Sequence, residues 1–138
     1  MKDLLIIDGN SIVNRAFYGI KLLTNKHGLF TNGIYGFLKI MFKNTDLIKP
    51  DYICVAFDLK TPTFRHKMYK EYKAQRKGMP EELRMQMPVL KEVLKAMNIC
   101  ILEKDGFEAD DIIGTISRMC AKEDVACHIL TGDRDDLQ

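Results

Sequence analysis

Residues 4–11 read Leu4-Leu5-Ile6-Ile7-Asp8-Gly9-Asn10-Ser11. Successive side chains of a strand point to opposite faces, so four aliphatics in a row make a strand that is apolar on both faces and needs cover on both. Such a run is the signature of a strand inside a parallel sheet. Working outward, Ile34, Phe37, Leu38, Met41, Phe42, Thr45 and Ile48 keep helical spacing, and Pro50 closes that helix. Tyr52 to Phe57 is a second strand, rich in β-branched and aromatic residues. Leu83, Met87, Leu90, Leu94 and Met97 form one helix face, and Ile99 to Leu102 a third strand. Ala109, Ile112, Ile113, Ile116, Met119 and Cys120 form another helix face, and Ala126 to Leu130 a fourth strand. The order β-α-β-α-β-α-β predicts an α/β domain: a mostly parallel central sheet with helices on both faces.

One stretch breaks the rhythm. Leu59 to Met79 is long, basic and poor in aliphatics. A connection of that length inside a compact domain is expected to be functional or mobile.

The chain has 138 residues, 46% hydrophobic and 29% charged, which are globular values that exclude wholesale disorder. The net charge of +2 says little, but its distribution is uneven. Lys60, Arg65, Lys67, Lys70, Lys73, Arg76 and Lys77 face only Glu71, whereas Glu103, Asp105, Glu108, Asp110 and Asp111 face only Lys104. A uniformly solvated surface interleaves the signs. Cys54, Cys100, Cys120 and Cys127 form no CxxC pair and sit in apolar stretches, as small hydrophobes of a reduced, intracellular protein do. The run Leu4 to Ile7 is too short for a secretory signal, and no segment reaches membrane-spanning length.

Acids recur where the strands end. Asp8 follows the first strand and Asp58 the second. Glu108, Asp110 and Asp111 follow the third at the start of a helix, and Asp133 and Asp135 follow the fourth. Ligands of open parallel sheets bind outside the carboxyl ends of the strands, so seven carboxylates are expected along one rim. Clustered carboxylates repel unless cations compensate, and oxygen-only donors suit Mg²⁺ or Mn²⁺. Two such ions can activate water and stabilise a leaving oxygen at a phosphodiester. Zinc fits less well, because no His or Cys lies beside these acids in sequence. Each acid also has a purely structural reading: Asp8 as a helix N-cap, Glu108 and Asp111 as complements to a helix dipole, Asp133 and Asp135 as turn formers.

The segment from Phe64 to Lys77 interleaves cations with Tyr69 and Tyr72. Cations neutralise phosphates and rings stack on unpaired bases, so it reads as a nucleic-acid contact. Phe64, Met68 and Tyr72 stand at i, i+4 and i+8, so one face of the same segment is also read as core-facing. Neither a dinucleotide fingerprint nor a P-loop is present.

With these residues in view, the chain resembles the 5′-nuclease domains of bacterial DNA polymerase I and the flap endonucleases. The stretches LLIIDGNS, VAFDLKTPTFRHKMYKEYKAQRKGMPEEL, GFEADDIIGT and ILTGDRDDLQ are similar to the successive motifs of that family, in its order and spacing. The resemblance implies a PIN-like 5′-nuclease core. It implies that Asp8, Asp58, Glu108, Asp110, Asp111, Asp133 and Asp135 bind two or more Mg²⁺ or Mn²⁺ ions. It implies that Arg65 and Lys73 act catalytically at the scissile phosphate, and that Arg15, Arg65, Tyr72, Lys73 and Arg76 contact DNA. The basic segment around 60–79 corresponds to the family's clamp or arch. Asp136 departs from the family, which has an apolar residue there. The family's domain is about twice as long, in the range of larger single domains. The chain is therefore expected to be a C-terminally truncated piece without the duplex-gripping helix–turn–helix part.

The function expected is a metal-dependent 5′-3′ exonuclease or flap endonuclease acting on DNA with a 5′ flap or 5′ end in replication and repair. A polymerase domain in the same polypeptide and a place in the bacterial cytoplasm, on the nucleoid through DNA, go with it. The alternatives are a catalytically weak nucleic-acid-binding fragment, a related RNA-cutting nuclease, or a phosphatase with Asp8 as nucleophile. The last usually needs a second acid two residues on, where Asn10 stands.

Overall fold

The structure is a computed structural model and describes residues 1–59 and 79–132. Four strands form one sheet in the order β3-β2-β1-β4. They are β1 (Lys2–Asp8), β2 (Tyr52–Ala56), β3 (Cys100–Leu102) and β4 (Val125–Leu130), and every pairing is parallel. Around them stand α1 (Gly9–Gly19), α2 (Asn32–Ile48), a single turn α3 (Glu81–Arg84), α4 (Gln86–Ala96) and α5 (Ala109–Lys122).

The aliphatic run at the start of the chain explains this arrangement. Leu5, Ile6 and Ile7 are fully buried. Leu5 and Ile7 join Val55 and Phe57 beneath Ile12, Val13 and Phe17 of α1, Ile34, Phe37 and Met41 of α2, and Leu90 and Leu94 of α4. Ile6 faces the other way, with Ala56, Cys54, Cys127 and Ile129, beneath Ala109 and Ile113 of α5. The large core thus lies on one side of the sheet and a smaller one under α5. Among the described residues no helix is long and apolar enough to cross a membrane.

The elements read from the sequence are present, with differences that have physical causes. The sequence reading placed no helix between β1 and α2, although it allowed Asp8 as a helix N-cap. The structure starts a helix there, with Asp8 as its N-cap: the Asp8 carboxylate accepts a hydrogen bond from Ser11 N–H at 3.1 Å. The first crossover therefore contains two helices on one face rather than one. The helix expected across Leu83 to Met97 divides into α3 and α4. Pro88 lacks the N–H that would bond back to Arg84, so the hydrogen-bond ladder breaks there. Phe42, expected on the apolar face of α2, is 47% exposed.

Gln86 is fully buried and ties three elements together. Its Oε1 accepts from Gly33 N–H at 2.8 Å and Ile34 N–H at 3.1 Å, which are orphan donors of the first turn of α2. Its Nε2 donates to Asn32 Oδ1 at 3.1 Å and to Glu82 C=O at 2.9 Å. Asn32 in turn donates to the carbonyls of Phe17 and Ile20 at the end of α1.

The four thiols were expected as scattered small hydrophobes. Cys120 is buried, Cys54 and Cys127 are partly buried, and Cys100 is exposed. Burial, and after it the neighbouring Cys100, push the Cys54 thiol from 9.0 up to about 12. Burial also raises Cys127. The unfolded chain releases the Cys54 proton near 9.0 and the folded chain holds it to about 12. The folded state binds the extra proton across that window, so this contribution to stability is full below pH 9 and is lost as pH rises through it. Urea unfolding at pH 8, 9.5 and 11 should show stability declining, and Cys54→Ala should decline less steeply over the same interval.

Candidate active site

The carboxyl ends of β1 and β2 and the amino ends of α1 and α5 meet at one edge of the sheet. Asp8, Asn10, Ser11, Asp58, Glu108, Ala109 and Asp110 line a cleft there of about 170 Å³. Asp8 is buried, at 8% exposure, where β1 passes directly into α1. Asp58 lies two residues past β2 and is held from two sides. Its N–H donates to Asn10 Oδ1 at 2.9 Å, and its carboxylate accepts from Ala109 N–H, at the first residue of α5. Glu108 is the N-cap of α5 and forms a reciprocal capping box with Asp111, whose carboxylate accepts from Glu108 N–H at 3.0 Å.

Two helix N-termini therefore point into a cleft lined by carboxylates. Their partial positive charges offset part of the repulsion between the acids and favour anionic groups in general. Beside the cleft, Ser11 Oγ stands 3.1 Å from Thr131 Oγ1 and accepts from Gly132 N–H at 2.6 Å. A Cβ at Gly132 would stand 2.8 Å from the Ser11 carbonyl oxygen. Only glycine lets the chain leaving β4 pass this close to α1 on its way to Asp133.

Of the seven acids expected on one rim, Asp8, Asp58, Glu108 and Asp110 line the cleft. Asp111 does not: its carboxylate caps Glu108, and it borders a separate groove with Phe107, Ile112 and Thr115. Asp133 and Asp135 lie outside the described residues, as do Arg65, Tyr72, Lys73 and Arg76 and with them the basic segment through residue 78. Arg15 is exposed on α1, one turn beyond Ser11, in a shallow depression with Asn14, Tyr18 and Gly132. Among the described residues no three His, Cys, Asp or Glu side chains group closely enough to hold a metal ion. The cleft's donors are carboxylates, an amide and a hydroxyl, all hard oxygens, so the donor chemistry fits Mg²⁺ or Mn²⁺ and not a soft metal.

The sequence reading missed the polar residues that place the acids. Asn10 positions Asp58, while Ser11 and Gly132 bind the end of β4 to α1. It also missed a groove of about 420 Å³ on the far side of Asp58, lined by Asn10, Leu59, Met79, Arg84, Met87 and Lys91. There Lys91 pairs with Glu103 at 2.9 Å and lies 5.0 Å over the Phe57 ring.

The architecture is shared with solved structures of known fold. A crystal structure of the bacteriophage T5 flap endonuclease in complex with DNA and metal ions superposes with a TM-score of 0.64 at 16% identity, over 96% of this chain and 50% of that one. A T5 5′-exonuclease mutant gives a TM-score of 0.59 at 16% identity, over 98% of this chain and 45% of that one. The likeness establishes the PIN-like fold. At the level of sequence, the family described as 5′-3′ exonuclease, N-terminal resolvase-like domain, matches residues 3–138, and the chain belongs to that family. It is 46% identical to DNA polymerase I of Caldicellulosiruptor bescii over 98% of this chain and 16% of that protein. It is 43% identical to DNA polymerase I of Bacillus subtilis over 99% of this chain and 16% of that protein. A 5′-3′ exonuclease of Aquifex aeolicus is 41% identical over 100% of this chain and 48% of that protein. The chain thus spans about half of one relative and a much smaller share of the others.

Proposed function

We propose that this chain carries the acidic edge of a metal-dependent 5′-nuclease that hydrolyses DNA phosphodiesters at 5′ flaps or 5′ ends, within a DNA polymerase I. The observation that supports it most is the cleft itself, which four carboxylates from three separate stretches line beneath two helix N-termini. The names of the relatives agree: DNA polymerase I, a 5′-3′ exonuclease, and a flap endonuclease crystallised with DNA and metal ions.

Asp8, Asp58, Glu108 and Asp110 would hold the divalent ion, with Asp133 and Asp135 contributing to a second. Bound there, Mg²⁺ or Mn²⁺ would supply an activated water and charge neutralisation at the leaving oxygen. The chain's own residues do the rest. Asn10 anchors the Asp58 backbone and the Ala109 N–H orients its carboxylate, so little reorganisation of residue 58 remains when a cation binds. The ends of α1 and α5 draw the phosphate towards the cleft. Arg15, exposed on the surface beside it, would pair with the DNA backbone. Arg65 and Lys73 stabilise charge on the transferring phosphate, and Tyr72 and Arg76 hold the unpaired strand. Asp111 serves this site by fixing Glu108. In the parent protein a polymerase domain follows in the same chain, and the protein works in the bacterial cytoplasm on nucleoid DNA.

A ligand that binds only the folded state raises its stability by mass action, by about 2.7 kcal/mol at a hundred times its Kd. Millimolar Mn²⁺ should therefore raise the melting temperature by several degrees, and Asp8→Asn should remove most of that rise. An unchanged melting temperature at saturating Mn²⁺ counts against a metal site in this cleft.

A further inference from the structure

The four cysteines are far apart in sequence, yet the fold gathers them on one side of the sheet, under and beside α5. Cys54 of β2 and Cys100 of β3 are direct partners on adjacent parallel strands. Partnered side chains share a face of the sheet, and their Cα atoms lie about 4.8 Å apart, inside the window of about 4.4–6.8 Å that a disulfide needs. Cys120 of α5 and Cys127 of β4 lie on the same side, but Cys120 is buried. Cys100 is exposed, so one pair has a solvent-facing member and a sheltered one. The strand β3 has three residues and pairs only with β2 in the described sheet, so it can shift to close a bond.

We propose that Cys54 and Cys100 form a redox-active dithiol, closed by low-molecular-weight disulfides of the glutathione type and reopened by dithiol reductants. In the first step the Cys100 thiolate attacks one sulfur of the small disulfide. That S–S bond breaks, a mixed disulfide forms at Cys100, and one small thiolate leaves. In the second step the Cys54 thiolate attacks the Cys100 sulfur and expels the other small thiolate. Two protein thiols are oxidised, one small disulfide is reduced to two thiols, and the two cysteine protons pass to those products.

The two steps run at different rates. Cys100 is accessible, whereas burial holds the Cys54 proton up to about 12. Closure is the slow step, and its rate should rise by about tenfold per pH unit between pH 7 and 10, as the thiolate fraction does. The bond joins the middle of β2 to the start of β3, four residues before Asp58 of the acidic cleft. It locks the β2–β3 pairing and leaves the cleft open. A loop of this length, once closed, should raise the melting temperature by roughly 5–10 °C.

The chain incubated with oxidised glutathione and followed by intact mass tests the idea. A transient glutathione adduct should give way to a species lighter than the reduced chain by two hydrogens, faster at higher pH. Peptide mapping should link Cys54 to Cys100. In Cys54→Ser the adduct should form at Cys100 and persist, and Cys100→Ser should lose the link and the thermal gain. A wild-type adduct that stays unresolved between pH 7 and 10, or a bond from Cys54 to another cysteine, overturns the proposal.

Discussion

Asp58→Asn should lower single-turnover cleavage of 5′-flap DNA by at least roughly a hundredfold, while the protein melts as well without metal as the parent does. The substitution separates charge from scaffold. An amide oxygen can still accept from Ala109 N–H, and the backbone N–H still donates to Asn10, so the two bonds that place residue 58 remain. What disappears is one negative charge beside Asp8, Glu108 and Asp110. Without metal its loss relieves repulsion and should not destabilise the fold. With metal it removes a ligand charge, and the loss should appear as weaker ion binding and slower chemistry. Unchanged cleavage would mean that Asp58 only joins β2 to α5.

The second large effect concerns stability. Gln86→Leu should destabilise the fold by about 4 kcal/mol, large for a single substitution. The volume is nearly kept, so the cost is not a cavity. It is the loss of four hydrogen bonds, which leaves Gly33 N–H, Ile34 N–H, Asn32 Oδ1 and the Glu82 carbonyl without this partner. Each buried group left unsatisfied costs about 1–3 kcal/mol, and Asn32 can relax to recover only part. Gln86→Glu should also destabilise, because a carboxylate satisfies the two α2 donors but cannot donate to Asn32 or Glu82. Urea unfolding measures both, and a loss of 1 kcal/mol or less in Gln86→Leu would show that the network contributes little net stability.

Gln86 also illustrates what a sequence conceals. As a polar residue within an apolar helical pattern, it reads as a surface position, and nothing local marks it as the cap of a helix more than fifty residues away. The four strands were legible because a strand buried on both faces must be apolar throughout, and Leu4 to Ile7 and Tyr52 to Ala56 are. The helix α1 was read only as far as its cap: Asp8 was allowed as an N-cap, but the apolar face of Ile12, Val13, Ala16 and Phe17 behind it was not followed. In the site, the strand-end acids announced themselves, since a carboxylate after a buried strand must meet solvent or a ligand. Asp111 could not be told from Asp110 in sequence. The direction of each side chain depends on the helix phase, which turns Asp110 into the cleft and Asp111 back onto the cap. The pairing of Cys54 with Cys100 depends on strand order, which hydrophobic spacing does not encode.

The central claim is that the acidic cleft is a metal-dependent DNA phosphodiesterase site. Cleavage of 5′-flap DNA, duplex DNA and single-stranded RNA, each with Mg²⁺, with Mn²⁺ and with chelator, tests it most directly. The expected result is cutting of the 5′-flap DNA with either ion, none with chelator and none of the RNA. Cleavage that survives the chelator, or that prefers RNA, would contradict the account.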